Sequence, residues 1–336
     1  MRRFVARNLN RLTENFGISC TRSKDFQRLV LQKDLFARLL RPREKQAYSS
    51  TASGIVFSMD RACQMHALLT SYFALIPAPP HLTVIYSSSN SRHDTAYQTV
   101  KTLFRKHPIT WIRESDFRKD LLEVLGKLES RWVFFLVDDI IWTRPVDFTV
   151  FDNLDSHHYV PSLRLGKHVN YCYTKQKPMK QPKFSIFPNS GKDLLEWKWG
   201  EGNLDWGYPL SVDGHLFCPE EIRIIADSTD FRKPNTFEIA LQNANPVFRM
   251  RRGICFSKSR LVNLPINKVQ SETKNLHGQV DAEFLLKQWE ENKQIDTDSL
   301  TDINNESVHQ EFPVSMIHRV ENQEPPPQSL PISHEH

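Results

Sequence analysis

Hydrophobic and polar positions follow two alternating periods between residues 53 and 137. Apolar runs of strand length are separated by longer segments in which apolar residues recur at helical spacing. The predicted strands are GIVFSM (54–59), LTVIYSSSN (82–90), ITWIRES (109–115) and WVFFLV (132–137), and the predicted helices cover 60–76, 95–105 and 117–128. Strands that alternate with helices predict an α/β fold with a mostly parallel sheet covered on both faces.

The segments on either side of this region have a different character. Residues 1–50 form a helical N-terminal extension, in which arginines surround an apolar stripe at helical spacing. Such an extension either packs on the main domain or lies on a membrane surface. Further helices are predicted at 234–243 and from residue 281, and the proline-rich residues 321–336 are expected to be a disordered tail.

Composition and charge exclude several classes of protein. Hydrophobic residues make up 39% of the 336 positions and charged residues 25%, which is the balance of an ordinary globular protein. The formal net charge is +5, with 44 Lys and Arg against 39 Asp and Glu. This mild excess suits an anionic small substrate or proximity to a membrane, and it is too small for a nucleic-acid-binding surface.

Cysteine usage and hydropathy indicate the compartment. The five cysteines form no CxxC pair, so they predict neither a disulfide framework nor a zinc site, and a reducing compartment fits best. The basic opening lacks the apolar core of a secretory signal, and prolines interrupt the longest uncharged stretch, 67–91. We therefore expect a cytoplasmic protein without a transmembrane helix, either free in the cytoplasm or peripheral to the inner face of the membrane.

The segment RWVFFLVDDIIWTRP carries the strongest chemical signal. Its apolar strand runs directly into Asp138 and Asp139. Ligands of parallel sheets bind beyond the carboxyl ends of the strands, so both carboxylates should emerge at a pocket. Hard oxygen ligands suit Mg²⁺ or Mn²⁺. Because successive strand residues face opposite sides, we assign the metal to Asp139 and an auxiliary role to Asp138. Alternatively, the pair caps a helix or faces solvent.

This arrangement, an early strand, a DRACQMHALL-type helix and a later strand that ends in an acidic pair, resembles the nucleotide-binding half of GT-A-fold glycosyltransferases with their DxD motif. The resemblance covers roughly residues 53–260, and Val137 stands in place of the first acid, which makes the motif an xDD variant. It implies a glycosyltransferase domain at 51–320. Its parts would be a nucleotide half (about 53–145), an acceptor half (about 146–270) and a helical C-terminal part (about 271–320).

The resemblance also implies donor contacts at the ends of the early strands. Ser58, Asp60 and Arg61 follow the first strand, where such enzymes meet the nucleotide, and Arg61 is a candidate for the phosphate charge. The tip of the second strand (87–90) and the segment 117–120, with Arg118 and Lys119, are candidates for base and sugar contacts. A solvated helix face is the alternative for the three basic residues.

A second group of candidate residues lies in YPLSVDGHLF and the helix after it. In the GT-A picture a carboxylate on this later loop accepts the acceptor's proton and a later histidine completes the metal shell, so Asp213 is the candidate base and His215 the candidate metal ligand. Glu238 is the rival base, or it belongs to a helix cap. An Asp-Gly turn is the simpler explanation of Asp213. Neighbouring Trp197, Trp199 and Trp206 either stack on a sugar or pack in the core.

Together these residues predict transfer of a sugar from a nucleotide-diphosphate donor to an acceptor hydroxyl, with a bound Mn²⁺ or Mg²⁺ that stabilises the leaving diphosphate. The acceptor would be a glycan or a lipid-linked molecule in cell-surface polysaccharide synthesis. Two alternatives stay open. One is a sugar-nucleotide nucleotidyltransferase, although the glycine-rich phosphate loop it usually needs is missing. The other is a non-catalytic carbohydrate-binding protein with this fold. The oligomeric state is not predicted.

Overall fold

A computed structural model describes residues 32–41, 47–188, 193–266 and 282–319 of the chain. It divides into two compact units, Met1–Glu44 and Lys45–His336. In the first unit a short helix, α1, covers residues 32–39, with Leu35 and Leu39 buried one turn apart. Most of the helical extension predicted at residues 1–50 lies outside the described residues, and so does the tail expected at 321–336.

The second unit alternates strands and helices over its first half and becomes irregular afterwards. Its strands are β1 Ser50–Met59, β2 His81–Ser87, β3 Ile109–Arg113, β4 Ser130–Val137, β5 Ile140–Trp142, β6 Tyr159–Ser162, β7 Tyr171–Cys172, β8 Lys177–Pro178, β9 Ser185–Ile186, β10 Leu194–Lys198, β11 Leu216–Phe217, β12 Arg252–Phe256, β13 Leu261–Asn263, β14 Lys293–Ile295 and β15 Met316–His318. Its helices are α2 Ala62–Leu75, α3 Ser91–Leu103, α4 Phe117–Lys127, α5 Pro219–Ser228, α6 Pro234–Leu241, α7 Asn245–Phe248 and α8 Ala282–Glu290.

The central sheet has five strands in the order β11-β4-β1-β2-β3. The four strands from β4 to β3 run parallel, and the short β11 joins antiparallel at the edge. Ile55 in the middle of β1 lies between Phe135 of β4 and Thr83 of β2. The predicted α/β class, a mostly parallel sheet flanked by helices, is confirmed.

Polar residues end the parallel strands and begin the next helices. Asn90 follows β2 and its side chain accepts a hydrogen bond from the His93 backbone N–H at 3.1 Å. Asp116 follows β3 and accepts in the same way from the Lys119 backbone N–H at 2.9 Å. These caps satisfy N–H groups that a helix leaves unpaired at its start. They bring polar side chains to the carboxyl edge of the sheet.

The second half contains elements that the sequence pattern did not predict. A four-stranded sheet, β6-β12-β10-β9, forms from strands of two to five residues, which are too short to show a clear period. Trp197, Trp199 and Trp206 are at most 2% exposed and pack edge to face, so they belong to the core. Helix α5 was also missed.

The part at 271–320 was expected to be helical. Among its described residues, α8 is the one α-helix. There β14 and β15 form an antiparallel pair instead. Among all described residues, no helix is both long and apolar enough to cross a membrane.

Glycines 54 and 126 offer a matched pair of substitutions that tests the packing of the central sheet. A Cβ at Gly54 would lie 2.4 Å from Leu82 Cδ2 and 2.7 Å from the Phe134 ring, whereas a Cβ at Gly126 would meet nothing within 4 Å. Gly54→Ala should therefore lower the free energy of unfolding by about 1–3 kcal/mol. Gly126→Ala, in helix α4, should leave it unchanged or raise it by up to about 1 kcal/mol. Urea unfolding measures both; equal effects would contradict the packing described.

Candidate active site

Strand β4 ends at two carboxylates with different surroundings. Asp138 is 4% exposed and accepts hydrogen bonds from Ser58 Oγ at 2.9 Å, from the Met59 backbone N–H at 3.2 Å and from Arg61 Nη1 at 2.9 Å. Ser58 and Met59 are the last residues of β1, the neighbouring parallel strand. Asp138 therefore joins the ends of two strands and has its acceptor sites filled.

Asp139 is left with fewer partners. Arg61 Nη1 lies 3.5 Å from Asp139 Oδ2, farther than from Asp138, and Asn263 Nδ2 donates to Asp139 Oδ1 at 3.2 Å. Burial raises the pKa of Asp139 to about 7, and repulsion from Asp138 and Asp213 adds to this, although Arg61 and Asn263 oppose it. Asp139 is thus a carboxyl group whose ionised form is under-compensated.

The end of β1 is held in an unusual conformation. Asp60 has a positive φ of 56°, and its carboxylate accepts a hydrogen bond from the Ser89 backbone N–H at 2.8 Å. This contact ties the end of β1 to the loop after β2. Positive φ in a residue other than glycine costs free energy and is found where the surroundings hold it in place. Asp60 therefore shapes the carboxyl edge of the sheet, and it occupies the place where sequence analysis expects a donor contact.

Asp213 reaches the same edge from the later loop. The Gly214 backbone N–H donates to Phe135 O of β4 at 2.8 Å, which sets the loop beside the end of that strand. Asp213 is 7% exposed and lies 2.8 Å from Arg164 Nη1 and 3.6 Å from His309 Nε2. Ser211 Oγ also donates to it at 3.3 Å. The carboxylate is therefore engaged by a buried guanidinium.

Glu238, on helix α6, lies next to this pair. It is half-buried, and the nearby Ser211 side chain and Val212 backbone N–H favour the ionised form of its carboxyl group and so act to lower its pKa. Burial and the charge of Asp213 raise the pKa of Glu238 to about 7, while Arg164 acts in the opposite direction. A carboxyl group with this pKa can exchange a proton near neutral pH. Its contacts join it to Asp213 in one cluster, and Asp213 in turn acts on the pKa of Asp139.

His215 is a buried histidine with one ring nitrogen engaged by the backbone. Its Nδ1 lies 2.8 Å from Pro209 O, and the ring packs against Trp199 with the centroids 5.2 Å apart. It is 1% exposed, and burial lowers its pKa to about 3. Its other ring nitrogen, Nε2, is buried without a hydrogen-bond partner among the described residues, so the assignment of His215 as a metal ligand stays a prediction.

His309 is the histidine that faces the carboxylates. The backbone of His309 forms a β-bridge with Asn263, whose side chain donates a hydrogen bond to Asp139. Burial and the nearby Arg164 lower the pKa of His309, which favours the neutral ring. Sequence analysis missed both His309 and Arg164. Neither sits in a recognisable motif, and His309 comes 96 positions after Asp213, so only the folded chain brings them together.

Arg118 is also placed differently from the prediction. Its guanidinium donates to the backbone oxygens of Thr229 at 3.1 Å, Ala226 at 3.2 Å and Asp227 at 3.0 Å. These carbonyls belong to the C-terminal end of helix α5, where cations are favourable. Arg118 therefore stabilises a helix end in this structure, and its role as a donor contact stays a prediction. Lys119 is exposed in the first turn of α4, and none of its described contacts joins it to the acidic cluster.

The balance of charge bears on a bound cation. Five carboxyl groups meet two guanidinium groups in this cluster. The acids are Asp138, Asp139, Asp205, Asp213 and Glu238, and the bases are Arg61 and Arg164. An anionic diphosphate would not bind beside such an excess without added positive charge. Asp139, with its raised pKa and incomplete pairing, fits a hard divalent cation that takes its other ligands from water and phosphate.

A second group of potential metal ligands lies away from the acidic cluster. Over the described ranges, His157, Cys218 and Glu221 are the group of His, Cys, Asp and Glu whose ligand atoms all lie within 4.8 Å of one another. However, the two carboxylate oxygens of Glu221 each accept a hydrogen bond from Arg251 at 2.7 Å. That pair already balances the buried charge, so this group does not need a cation.

Comparisons with known proteins give remote likenesses in structure. No family model matches the chain, and no curated protein matches it in sequence. A crystal structure of S. aureus TarS 1–349 in complex with UDP is 16% identical with a TM-score of 0.38; the match covers 63% of this chain and 59% of that one. The mannosyltransferase PcManGT from Pyrobaculum calidifontis, in complex with GDP-Man and Mn²⁺, is 15% identical with a TM-score of 0.28 over 42% of this chain and 44% of that one.

A nucleotidyl transferase from Methanothermobacter thermautotroptrophicus, Mth528, is 10% identical with a TM-score of 0.34 over 62% of this chain and 88% of that one. The chain thus spans less than two thirds of the TarS and PcManGT structures. At these TM-scores the likenesses do not assign the chain to a family.

Neighbouring isosteric substitutions distinguish the two strand-end carboxylates. Asp138→Asn should lower the free energy of unfolding by about 2 kcal/mol, because an amide cannot accept from all three donors and leaves Arg61 under-compensated. Asp139→Asn should raise it by about 1–2 kcal/mol at pH 8, where the wild-type carboxylate is ionised at a cost. Urea unfolding at pH 5 and pH 8 measures both.

The pH dependence follows from the sign of the shift. The folded-state pKa of about 7 for Asp139 and Glu238 lies above the usual carboxyl range, so the folded chain holds these protons more tightly. Their contribution to stability is full at low pH and is lost as the pH rises towards 7. Asp139→Asn should flatten this decline. If the free energy of unfolding of the wild type instead rises between pH 5 and 7, and Asp139→Asn does not alter this trend, the pKa of Asp139 is not raised.

Proposed function

We propose that this chain transfers a sugar from a nucleotide-diphosphate donor to an acceptor hydroxyl, in the synthesis of a cell-surface glycan or polysaccharide. One observation carries the proposal. Two carboxyl groups with pKa values of about 7, Asp139 and Glu238, are electrostatically linked through Asp213 at the carboxyl edge of a parallel sheet. One suits a cation that binds diphosphate, and the other suits proton transfer.

In this proposal the donor binds along the carboxyl ends of β1, β2 and β4. Asp60 and Ser58 shape this edge, and Asp138 keeps Arg61 close to where the diphosphate would lie. Mn²⁺ or Mg²⁺, held by Asp139, would supply the positive charge that stabilises the departing diphosphate. His309 is the nearest described histidine to the carboxylates and is the candidate for a further ligand.

Glu238 is the favoured base in this proposal. The acceptor oxygen bonds to the anomeric carbon of the donor sugar while the bond from that carbon to the diphosphate oxygen breaks. The ionised Glu238 takes the proton from the acceptor hydroxyl, and the diphosphate leaves with the bonding electrons. Asp213 is held by Arg164 at 2.8 Å, so its carboxylate is already engaged by a buried guanidinium. In this scheme Asp213 is a positioning residue that keeps the pKa of Glu238 near neutrality.

The pH profile of kcat separates the two candidate bases. Glu238→Gln should lower kcat about a hundredfold or more, with the donor KM little changed, because the base acts only in the transition state. In the wild-type enzyme the rate should rise through about pH 7 as Glu238 ionises. Asp213→Asn should retain activity and move this rise to lower pH, since it removes a charge that raises the pKa of Glu238.

The same measurements can reject this assignment. If Asp213→Asn abolishes kcat while Glu238→Gln has little effect, Asp213 is the base. NMR of the product supplies a second check, because direct displacement inverts the anomeric configuration and retention would exclude a simple base. Screening UDP-, GDP- and CMP-sugars with Mn²⁺ identifies the donor by thermal shift. Release of pyrophosphate from a nucleoside triphosphate, with no sugar transfer, would contradict the proposed function.

A further inference from the structure

Residues 167–188 carry an uneven distribution of charge. They contain five lysines, no arginine and no acidic residue; the lysines are Lys167, Lys175, Lys177, Lys180 and Lys183. These five lysines give the segment a formal charge of +5. We call residues 167–188 the lysine arm. All five lysines are exposed.

The lysine arm is anchored, so its charges are held outward. Strands β7 and β8 pair as a hairpin, and the Met179 backbone N–H donates to Asn170 O at 2.6 Å. Met179 and Pro182 are buried between the exposed lysines. Gln181 Nε2 donates to Val169 O at 3.0 Å. Alternation of buried anchors with exposed lysines presents the charges at no further cost in ordering the backbone.

These charges are not neutralised by the surrounding protein. Over the described ranges, none of the five lysines has an ion pair within 4.0 Å. Acidic residues that adjoin the arm are Glu306 through backbone contacts, Glu311 through its bond to the Tyr173 hydroxyl, and Glu196, which accepts a hydrogen bond from Ser185 Oγ at 3.3 Å and is paired with Arg252. The excess of positive charge therefore remains and favours an anionic partner.

Side-chain chemistry indicates the kind of partner. Lysine is a point charge suited to diffuse attraction, whereas specific recognition of phosphate groups favours the planar fork of arginine, which the arm lacks. The arm ends in the edge strand β9, where Ile186 is 59% exposed. Lysines with an exposed apolar side chain are the combination that binds at a lipid–water interface.

We propose that the lysine arm is a docking surface for an anionic lipid membrane. Lysine charges attract the headgroups, and Ile186 enters the interface. The arm begins three residues after Arg164, so docking would place the candidate active site close to molecules held in the membrane. Membrane binding does not depend on the proposed activity, because none of the five lysines belongs to the acidic cluster.

Vesicle co-sedimentation of the full chain tests this proposal. The probe is a vesicle of roughly equal parts phosphatidylglycerol and phosphatidylcholine, with pure phosphatidylcholine as the neutral comparison. We expect binding to the anionic vesicles at about 0.1 M salt and its loss at higher salt, because exposed charges are screened. The arm variant combines K175Q, K177Q, K180Q and K183Q; each lysine contributes about a fivefold change in affinity, so the variant should bind at least about tenfold more weakly.

A charge-matched control keeps the test specific. It combines K106Q, K127Q, K198Q and K287Q, four exposed lysines outside the arm, and should bind the anionic vesicles as wild type does. Circular dichroism confirms that both variants are folded. Equal binding by the arm variant would locate the membrane-binding surface elsewhere in the chain and overturn the proposal. So would binding of soluble polyphosphate without binding of the vesicles.

Discussion

Arg61 contacts both carboxylates at the end of β4, but at unequal distances, and the chemistry of the site depends on that difference. It is 2.9 Å from Asp138 and 3.5 Å from Asp139. Asp138 also takes the donors at the end of β1, so it is a structural link between strands. Burial raises the pKa of Asp139 to about 7, and Arg61 offsets this only in part. Arg61 is therefore paired mainly with Asp138, which links the two strands, and Asp139 remains available to a cation.

Sequence analysis could predict the parallel sheet because each of its strands and helices is long enough to show its own period. It could also place Asp138 and Asp139 at the carboxyl edge of the sheet, since that follows from the position of a strand end. It could not place Arg118, whose partners are carbonyls about 110 residues later, or His309, which meets Asp213 only after folding. Local sequence patterns predict which residues lie at the end of a strand. Contacts with residues far away in sequence decide which of those side chains are already bound to other groups of the protein.

The acidic cluster of the candidate active site and the lysine arm carry opposite charges in separate parts of the molecule. Acidic side chains concentrate at the carboxyl edge of the sheet, where two guanidiniums only partly compensate them. The lysine arm, in contrast, contains five lysines and no acidic residue. A mild net charge therefore conceals a strong separation, which matters for any anionic donor or lipid that approaches the protein.

Binding of Mn²⁺ in the presence of UDP at pH 8, followed by electron paramagnetic resonance of the free ion, tests the central claim most directly. The unequal pairing of Arg61 predicts one bound Mn²⁺ per wild-type chain. It also predicts that Asp139→Asn, although folded, binds the ion at least about tenfold more weakly, as expected when a carboxylate ligand is lost. A wild-type protein that binds no Mn²⁺, or an Asp139→Asn variant that binds it equally well, would contradict this account.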